Sequence, residues 1–255
     1  RQRDCINLIT SEMTQSSLVR LLQITDPCGR YAEHKELLAA FEQQVFYYQG
    51  TEFIEWVEER LVEEMREVLG CSLVESRMIS GQMANMTVFS AMVDYRNRTE
   101  RRSEPARLPL VMNNHIGKGG HLSSQPMGAL RDYVAKNPIT EKYAVINCPV
   151  LEDDPYCIDL QETEALLDIY DPELIILGKS MILYPEPVEA ISKMLEAKSV
   201  RPVLMYDMAH VIGLIGPHFQ DPFSEGADII TGSTHKTLFG SQRGIIGAAF
   251  EEENP

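Results

Sequence analysis

Two residues, at positions 207 and 236, could together hold an aldehyde coenzyme. Lys236 lies in the run Ser233-Thr234-His235-Lys236-Thr237, and Asp207 and His210 follow an apolar run that ends at Tyr206. A lysine amine can bind an aldehyde as a Schiff base, and a buried carboxylate can keep a pyridine nitrogen protonated and electron-withdrawing. Alone, Lys236 is more typical of an ordinary exposed lysine, and a carboxylate satisfied by loop amides is the alternative for Asp207. Their conjunction predicts a pyridoxal phosphate site.

Two further segments could support such a site. Ser80-Gly81-Gln82 comes directly before a predicted helix that begins near Met83, where free backbone N–H groups can bind a phosphate. The same pattern is also typical of an ordinary helix cap. His121 follows Gly119-Gly120 and could lie flat on a coenzyme ring, although an isolated histidine at a glycine turn is more often a surface or capping residue.

The elements that must position these residues follow an alternating pattern. Apolar runs rich in valine and isoleucine alternate with segments of helical periodicity, which favours an α/β fold with a mostly parallel sheet covered by helices on both faces. Such sheets bind ligands beyond the carboxyl ends of their strands. The predicted strands are 108–112, 143–147, 174–177, 202–206, 229–231 and 244–249, and the predicted helices are 14–22, 53–69, 83–93, 160–169 and 186–197.

Composition narrows the classes of function. The 255 residues carry 38 acidic and 23 basic side chains, and a net charge of -15 would repel a nucleic acid backbone. The arginines at 96, 98, 101 and 102 are interpreted as a solvated loop. No run approaches the ~18 to 20 apolar residues of a membrane helix, and the chain opens with Arg1, Arg3 and Asp4, so a cytoplasmic protein is expected. Five cysteines without a Cys-x-x-Cys pair favour reduced thiols, and no metal site is predicted.

Seven blocks of sequence, in the same order, resemble the serine hydroxymethyltransferase family, whose members are fold-type I pyridoxal phosphate enzymes. The resemblance extends over nearly the whole chain. The blocks are Leu8-Ile9-Thr10-Ser11-Glu12, Arg30-Tyr31-Ala32-Glu33, Tyr47-Tyr48, Ser80-Gly81-Gln82-Met83-Ala84-Asn85, Gly119-Gly120-His121-Leu122, Asp207-Met208-Ala209-His210 and Thr234-His235-Lys236-Thr237-Leu238. The fold implied is an aminotransferase-like large domain over residues 51–255, preceded by an arm and dimer-contact segment over residues 1–50.

Carried over residue by residue, the resemblance implies a complete coenzyme site. Lys236 would bind the coenzyme aldehyde, Asp207 would pair with the ring nitrogen and His121 would stack on the ring. Ser180 and His210 would lie close to the phenolic oxygen. The remaining residues implied are Ser80, Gly81 and Gln82 around the phosphate, with Ser233 and His235 on the lysine side.

The resemblance also implies a homodimer with shared active sites. In the family, the residues matched by Ser11, Tyr31, Glu33 and Tyr48 bind substrate from the neighbouring subunit. Glu33 would transfer a proton near the hydroxyl group of the amino acid, a task that suits a carboxyl group of raised pKa in a closed site. The predicted catalytic groups are Lys236, Glu33, His121, His210 and Tyr48.

The activity implied is transfer of a hydroxymethyl group between serine and tetrahydrofolate, with glycine as the other product. Several positions differ from the family pattern: Lys118, Ser124, Gln49, Gln82, Gln242 and the stretch 181–184. Gln82 replaces a small hydroxyl residue of the phosphate site, and several of the others would lie where a pterin or a substrate side chain sits. A threonine aldolase or transaldolase acting on glycine and aldehydes without folate would share the coenzyme residues and stays open. The carboxylate-binding arginine belongs to a smaller C-terminal domain expected to lie outside this chain, so a catalytically incomplete fragment is a further alternative.

Overall fold

The computed structural model describes residues 4–37, 43–99 and 105–249. The helices are α1 (Ser17–Leu22), α2 (Glu52–Leu69), α3 (Gly81–Thr99), α4 (Leu160–Ile169) and α5 (Val188–Glu196). The strands are β1 (His34–Leu37), β2 (Gln43–Phe46), β3 (Leu73–Glu75), β4 (Val111–Asn113), β5 (Val145–Asn147), β6 (Leu174–Leu177), β7 (Val203–Asp207), β8 (Ile229–Ser233) and β9 (Gly244–Ala248). Short 3-10 helices lie at Asp26–Gly29, Ile116–Lys118, Leu122–Ser124, Ala129–Asp132 and Ile212–Leu214.

The main sheet is mixed but mostly parallel, as the sequence predicts. Its described strands follow the order β3-β9-β8-β7-β6-β4-β5. The strands from β8 to β5 pair in parallel, while β9 pairs antiparallel with both β8 and β3. The carboxyl ends of β4, β6, β7 and β8 therefore meet along one edge, where a ligand site is expected.

Two apolar cores cover the two faces of this sheet. Successive residues of a strand point to opposite faces. On β6, Leu174 and Ile176 pack into one core with Phe89 of α3, and Ile175 and Leu177 pack into the other. That second core also takes its side chains from α2, α4 and α5. Helices on both faces explain why the strands are continuously apolar rather than alternating.

Local signals set several helix ends. The Ser16 side chain accepts a hydrogen bond from the Val19 N–H and caps α1. The Asp159 side chain caps α4 by accepting from the Glu162 N–H at 3.0 Å. Gly70 closes α2 with φ +68°, a conformation that glycine adopts without steric cost.

Some predicted elements have different bounds. Helix α3 runs from Gly81 to Thr99 instead of 83–93, because Ser80 caps its start and Arg96 near its end pairs with Glu173. The loop interpretation of the arginine cluster is therefore wrong for Arg96 and Arg98. Arg101, Arg102, the amino-terminal Arg1 and Arg3, and residues 250–255 lie outside the described residues.

Strand β4 begins at Val111, later than the predicted 108. The sheet also contains a strand, β3, that the sequence did not suggest. Leu108 forms only an isolated bridge with Val134, although it is fully buried. Strand β3 was missed because it has three residues and Leu73 is nearly half exposed, so no apolar run marks it. The arm contains α1 and the antiparallel hairpin of β1 and β2. The division into an arm over 1–50 and a large domain over 51–255 stays a prediction.

None of the helices among the described residues is both long enough and apolar enough to cross a bilayer.

Gly178, directly after β6, provides a test of how closely the strand ends approach. Its φ is +143°, and a Cβ atom there would lie 2.3 Å from the backbone oxygen of Asp207. Gly216 has φ +124° but open space around a Cβ. We expect Gly178→Ala to lower the free energy of unfolding by roughly 3 kcal/mol or more, because a clash with backbone adds to the strain of the positive φ.

Gly216→Ala is the matched control and should cost only the dihedral strain, about 1 to 2 kcal/mol. Denaturant unfolding of both variants measures the difference. Equal losses would show that the strand ends have room for a methyl group.

Candidate active site

A buried carboxylate lies at the centre of the sheet edge. Asp207 is the last residue of β7 and is 1% exposed. Its Oδ2 atom accepts a hydrogen bond from Asn85 Nδ2 at 2.7 Å and lies 2.5 Å from His121 Nδ1. Its Oδ1 atom accepts from the Ala209 N–H at 3.1 Å. Two elements that are distant in sequence, α3 and the turn at His121, therefore converge on one side chain together with the backbone that follows β7.

These contacts keep Asp207 ionised. Burial alone would raise the pKa of the carboxyl group. The charge of His121 and the hydrogen bonds from His121, Asn85 and the Ala209 N–H outweigh burial, so the pKa of Asp207 lies below its ordinary value. The site thus holds a fixed negative charge in a position shielded from solvent.

The amine of Lys236 lies in the turn that follows β8, and the residue is 8% exposed. Its Nζ atom is 3.2 Å from His210 Nε2. Burial lowers the pKa of Lys236, while the charge of Asp207 opposes that shift. A lowered pKa increases the fraction of neutral amine, which is the nucleophilic form.

His210 is held neutral at ordinary pH. Its pKa is lowered to about 4 by burial, then by the positive charges of Lys236 and His121, while Asp207 opposes the shift. A neutral imidazole can accept a hydrogen bond from the amine without repelling it. The rings of His121 and His210 meet edge to face with centroids 5.1 Å apart, so both histidines lie with Asp207 and Lys236.

The amino end of α3 lies against the residue that ends β8. A Cβ atom on Gly81 would lie 2.2 Å from Ser233 Oγ, so only glycine permits this approach. The Ser80 side chain accepts a hydrogen bond from the Met83 N–H and caps the helix, as the simpler interpretation of this motif predicted. The N–H groups of the first helical turn still have no partner within the helix and give it a positive end.

The predicted Ser180 lies in a segment that runs beside the glycine turn. The Ser180 N–H donates to the Gly119 oxygen at 2.8 Å, and the His121 N–H donates to the Gly178 oxygen at 3.1 Å. Because Gly178 also packs on Asp207, the segments 178–180 and 119–121 form one wall of the site.

Asn85 is the main residue that the sequence interpretation did not assign. It is fully buried, donates to Ser123 Oγ at 2.8 Å as well as to Asp207, and accepts from Thr231 Oγ1 at 2.5 Å. A signal existed in the sequence, because Asn85 lies four residues after Gly81 and therefore on the same face of α3.

The four residues predicted to serve a neighbouring subunit, Ser11, Tyr31, Glu33 and Tyr48, do not all gather around Lys236 and Asp207 in the described part of the chain. Tyr31 and Tyr48 stack with centroids 5.4 Å apart and line a cavity of about 610 Å³. Among the described contacts, none joins these tyrosines or Glu33 to Lys236 or Asp207. Ser11 follows Thr10, whose backbone lies against His210 of the same chain. The roles of all four stay predictions.

The residues that depart from the family pattern have varied positions. Ser124 is buried and its hydroxyl donates to the His121 oxygen at 2.9 Å, so it supports the histidine turn. Gln49 lines the cavity beside the tyrosine pair. Gln82 and Lys118 are exposed.

Comparisons with known proteins place the chain among the members of one family. A model of the family described as serine hydroxymethyltransferase matches residues 1–250. Curated proteins named serine hydroxymethyltransferase are similar to the chain: one from Pyrobaculum calidifontis is 36% identical over 96% of this chain, and one from Staphylothermus marinus is 34% identical over 99%. A third, from Archaeoglobus fulgidus, is 33% identical over 98%. The match covers 50%, 51% and 50% of these relatives, so the chain spans about half their length.

Because the pKa of His210 is lowered in the folded chain, the free energy of unfolding should depend on pH. The ordinary pKa of His210 is 6.5, and its pKa in the folded chain is about 4. At a pH between these values the histidine binds a proton in the unfolded chain but not in the folded chain. The stability is therefore full above pH 6.5 and falls as the pH drops toward 4. We expect His210→Gln to remove roughly 2 kcal/mol of this decline.

The control is His218→Gln, which changes an exposed histidine. Denaturant unfolding between pH 4 and 7 measures the slope for each protein. The control should follow the unchanged protein, and identical slopes for both variants would contradict the burial of a neutral imidazole at position 210.

Proposed function

The chain belongs to the serine hydroxymethyltransferase family, and from that premise we propose that it binds pyridoxal 5'-phosphate and transfers a hydroxymethyl group between serine and tetrahydrofolate. The observation that carries the proposal is the pairing of a buried amine of lowered pKa, Lys236, with a buried carboxylate of lowered pKa, Asp207. Asp207 ends β7 and Lys236 follows the neighbouring parallel strand β8, at the edge where such sheets bind ligands.

The residues fit the ring nitrogen, the phosphate and the aldehyde of the coenzyme. A carboxylate has about four lone-pair positions, so Asp207 has capacity for a ring N–H beyond its present donors. The amino end of α3 and Ser233 form a cradle for a phosphate, and Gly81 keeps it open, since a Cβ there would fill the space in front of Ser233. The buried Nδ1 atom of His235, next to Lys236, has no hydrogen-bond partner within the described residues and is available to a ligand.

Each side chain has a definite task in this proposal. When bound, the coenzyme supplies an electron-withdrawing ring that stabilises negative charge at the alpha carbon of the amino acid. Asp207 stays ionised and holds the proton on the ring nitrogen. Lys236 presents its amine to the aldehyde, and His210 accepts a hydrogen bond from that amine at Nε2. His121 orients the ring, and Ser180 lies on the wall beside it.

The arm completes the site from a second copy of the chain. Helix α2 leaves apolar side chains exposed, with Phe53 60% and Trp56 59% accessible. The apolar face of α2 is therefore largely exposed to solvent within one chain. A second copy of the chain would cover that face. In such a homodimer, Glu33 and Tyr48 would reach the neighbouring site, with Glu33 transferring a proton at the hydroxyl group of the substrate.

Membership of the family favours hydroxymethyl transfer over a folate-independent aldolase. Both reactions use the same coenzyme residues, so the response to tetrahydrofolate distinguishes them. We also propose a cytoplasmic location, which is supported by five cysteines that are all free, two of them exposed.

Coenzyme binding through Lys236 is the first experimental test. We expect a visible absorbance band when pyridoxal phosphate is added to the protein, and a change in that band on adding glycine. Tetrahydrofolate should enhance the glycine response. Lys236→Ala should lose the band because the bond to the amine cannot form, while Lys142→Ala, at an exposed lysine, should keep it.

Each outcome has a distinct meaning. No band in the unchanged protein would reject the coenzyme proposal. A glycine response that is indifferent to tetrahydrofolate would replace the hydroxymethyltransferase with an aldolase or transaldolase.

The homodimer is tested at Trp56. We expect Trp56→Glu to convert a dimer into a monomer of about the chain mass of 28.8 kDa, because a charge would be buried in an apolar interface. Light scattering after size-exclusion chromatography measures the mass. Ile139→Glu is the control, since Ile139 is 90% exposed in a loop outside α2. A monomer before substitution, or a dimer after it, would contradict the proposed surface.

A further inference from the structure

A second buried ion pair lies directly behind the active-site wall. Lys179 follows Gly178 and precedes Ser180, yet its side chain is 3% exposed and points away from solvent. Its Nζ atom lies 2.6 Å from Glu186 Oε1, and the Glu186 side chain is 2% exposed. The amine also donates to the backbone oxygen of Tyr156 at 2.7 Å.

The carboxylate end of this pair is fixed by other buried groups. Asn114 Nδ2 approaches Glu186 Oε2 at 3.4 Å. The side chain of Gln220 brackets the backbone of Glu186, accepting from its N–H at 3.1 Å and donating to its oxygen at 2.6 Å. Gln220 also donates to Glu225 at 2.7 Å. Lys179 therefore binds to a carboxylate that is itself held in place.

The same network reaches the catalytic groups through the backbone. The Gly178 N–H donates to Asn114 Oδ1 at 2.7 Å, and the Gly178 oxygen accepts from the His121 N–H at 3.1 Å. Gly178 is packed so tightly on Asp207 that a Cβ would clash with it. A shift of the segment 178–180 would therefore move both the carboxylate and the imidazole.

Stability alone does not account for this pair. Burial raises the pKa of Glu186, with Lys179 and Asn114 opposing the shift, so the low-polarity surroundings disfavour the charge. Buried ion pairs can often be replaced by apolar side chains of similar volume without loss of stability. A buried ion pair that adds little stability can still serve to fix the position of the backbone that carries it.

We propose that Lys179 and Glu186 are positioning residues of the active site, whose ion pair holds the segment 178–180 against Asp207 and His121 in the arrangement that the coenzyme ring requires. The inference rests on the proposed coenzyme function. Neither side chain touches the coenzyme, and both act through Gly178 and its neighbours.

The test replaces the pair as a unit. We expect Lys179→Met combined with Glu186→Leu to keep the urea midpoint of the unchanged protein, because no buried charge is left unpaired. The same double variant should bind pyridoxal phosphate about tenfold or more weakly, since a displacement on the order of 1 Å at a site is costly. The visible circular dichroism of the bound coenzyme, which reports ring orientation, should change as well.

A second readout uses the protein without coenzyme. Amide hydrogen exchange in the peptide 174–184 should be faster in the double variant, because the segment loses its anchor. The control is Arg96→Met combined with Glu173→Met, which removes a partly buried ion pair at the opposite end of β6. The control should leave exchange in 174–184 and coenzyme affinity unchanged.

Unchanged affinity, dichroism and exchange in the double variant would overturn the proposal. If that variant does not fold, Lys179→Arg and Lys179→Gln decide: the arginine variant keeps the ion pair and should bind coenzyme more tightly than the glutamine variant, and equal binding would overturn the proposal. A lack of binding by the unchanged protein would instead reject the coenzyme function, and the positioning role with it.

Discussion

The burial of an ionised Asp207 is the constraint on which the site depends. A carboxylate in a low-polarity interior is costly unless charge and hydrogen bonds compensate. Here the compensation comes from α3 through Asn85, from the glycine turn through His121 and from the chain after β7 through Ala209. Asn85 and His121 are each held by further hydrogen bonds, so the negative charge at the end of β7 organises its surroundings as well as being stabilised by them.

The charge of Asp207 acts on the pKa of both neighbouring basic groups, but more weakly than burial does. Asp207 raises the pKa of Lys236 and of His210, but burial dominates for both and leaves them below their ordinary values. The result is one fixed anion beside two basic groups that resist protonation. Such an arrangement lowers stability in mild acid, yet a nucleophilic amine needs it, so the site trades folding free energy for reactivity.

Sequence reasoning succeeded where chemistry and position are local. The strand at 174–177 and the helix at 160–169 have the predicted bounds because continuous apolar runs and an Asp159 cap mark them directly. Asp207 and Lys236 could be paired because both follow apolar strands. Strand β3 was missed because it becomes a strand only by pairing with β9, a contact that no local pattern encodes. Asn85 and Lys179 were overlooked for a related reason, since their partners come from other elements.

Two kinds of contact restrain the segment 178–180, close packing at Gly178 and a buried ion pair at Lys179. The backbone of Asp207 packs closely on Gly178, and the His121 N–H donates to the Gly178 oxygen. Lys179, the next residue, is anchored by its side chain to Glu186. A backbone held by these contacts cannot shift without breaking a hydrogen bond in the low-polarity interior, where unpaired groups are most costly. The glycine at 178 permits the close approach to the Asp207 backbone, and the ion pair of the next residue maintains that approach. Rigidity at this edge of the sheet therefore arises from tight backbone packing at one residue and a buried ion pair at its neighbour.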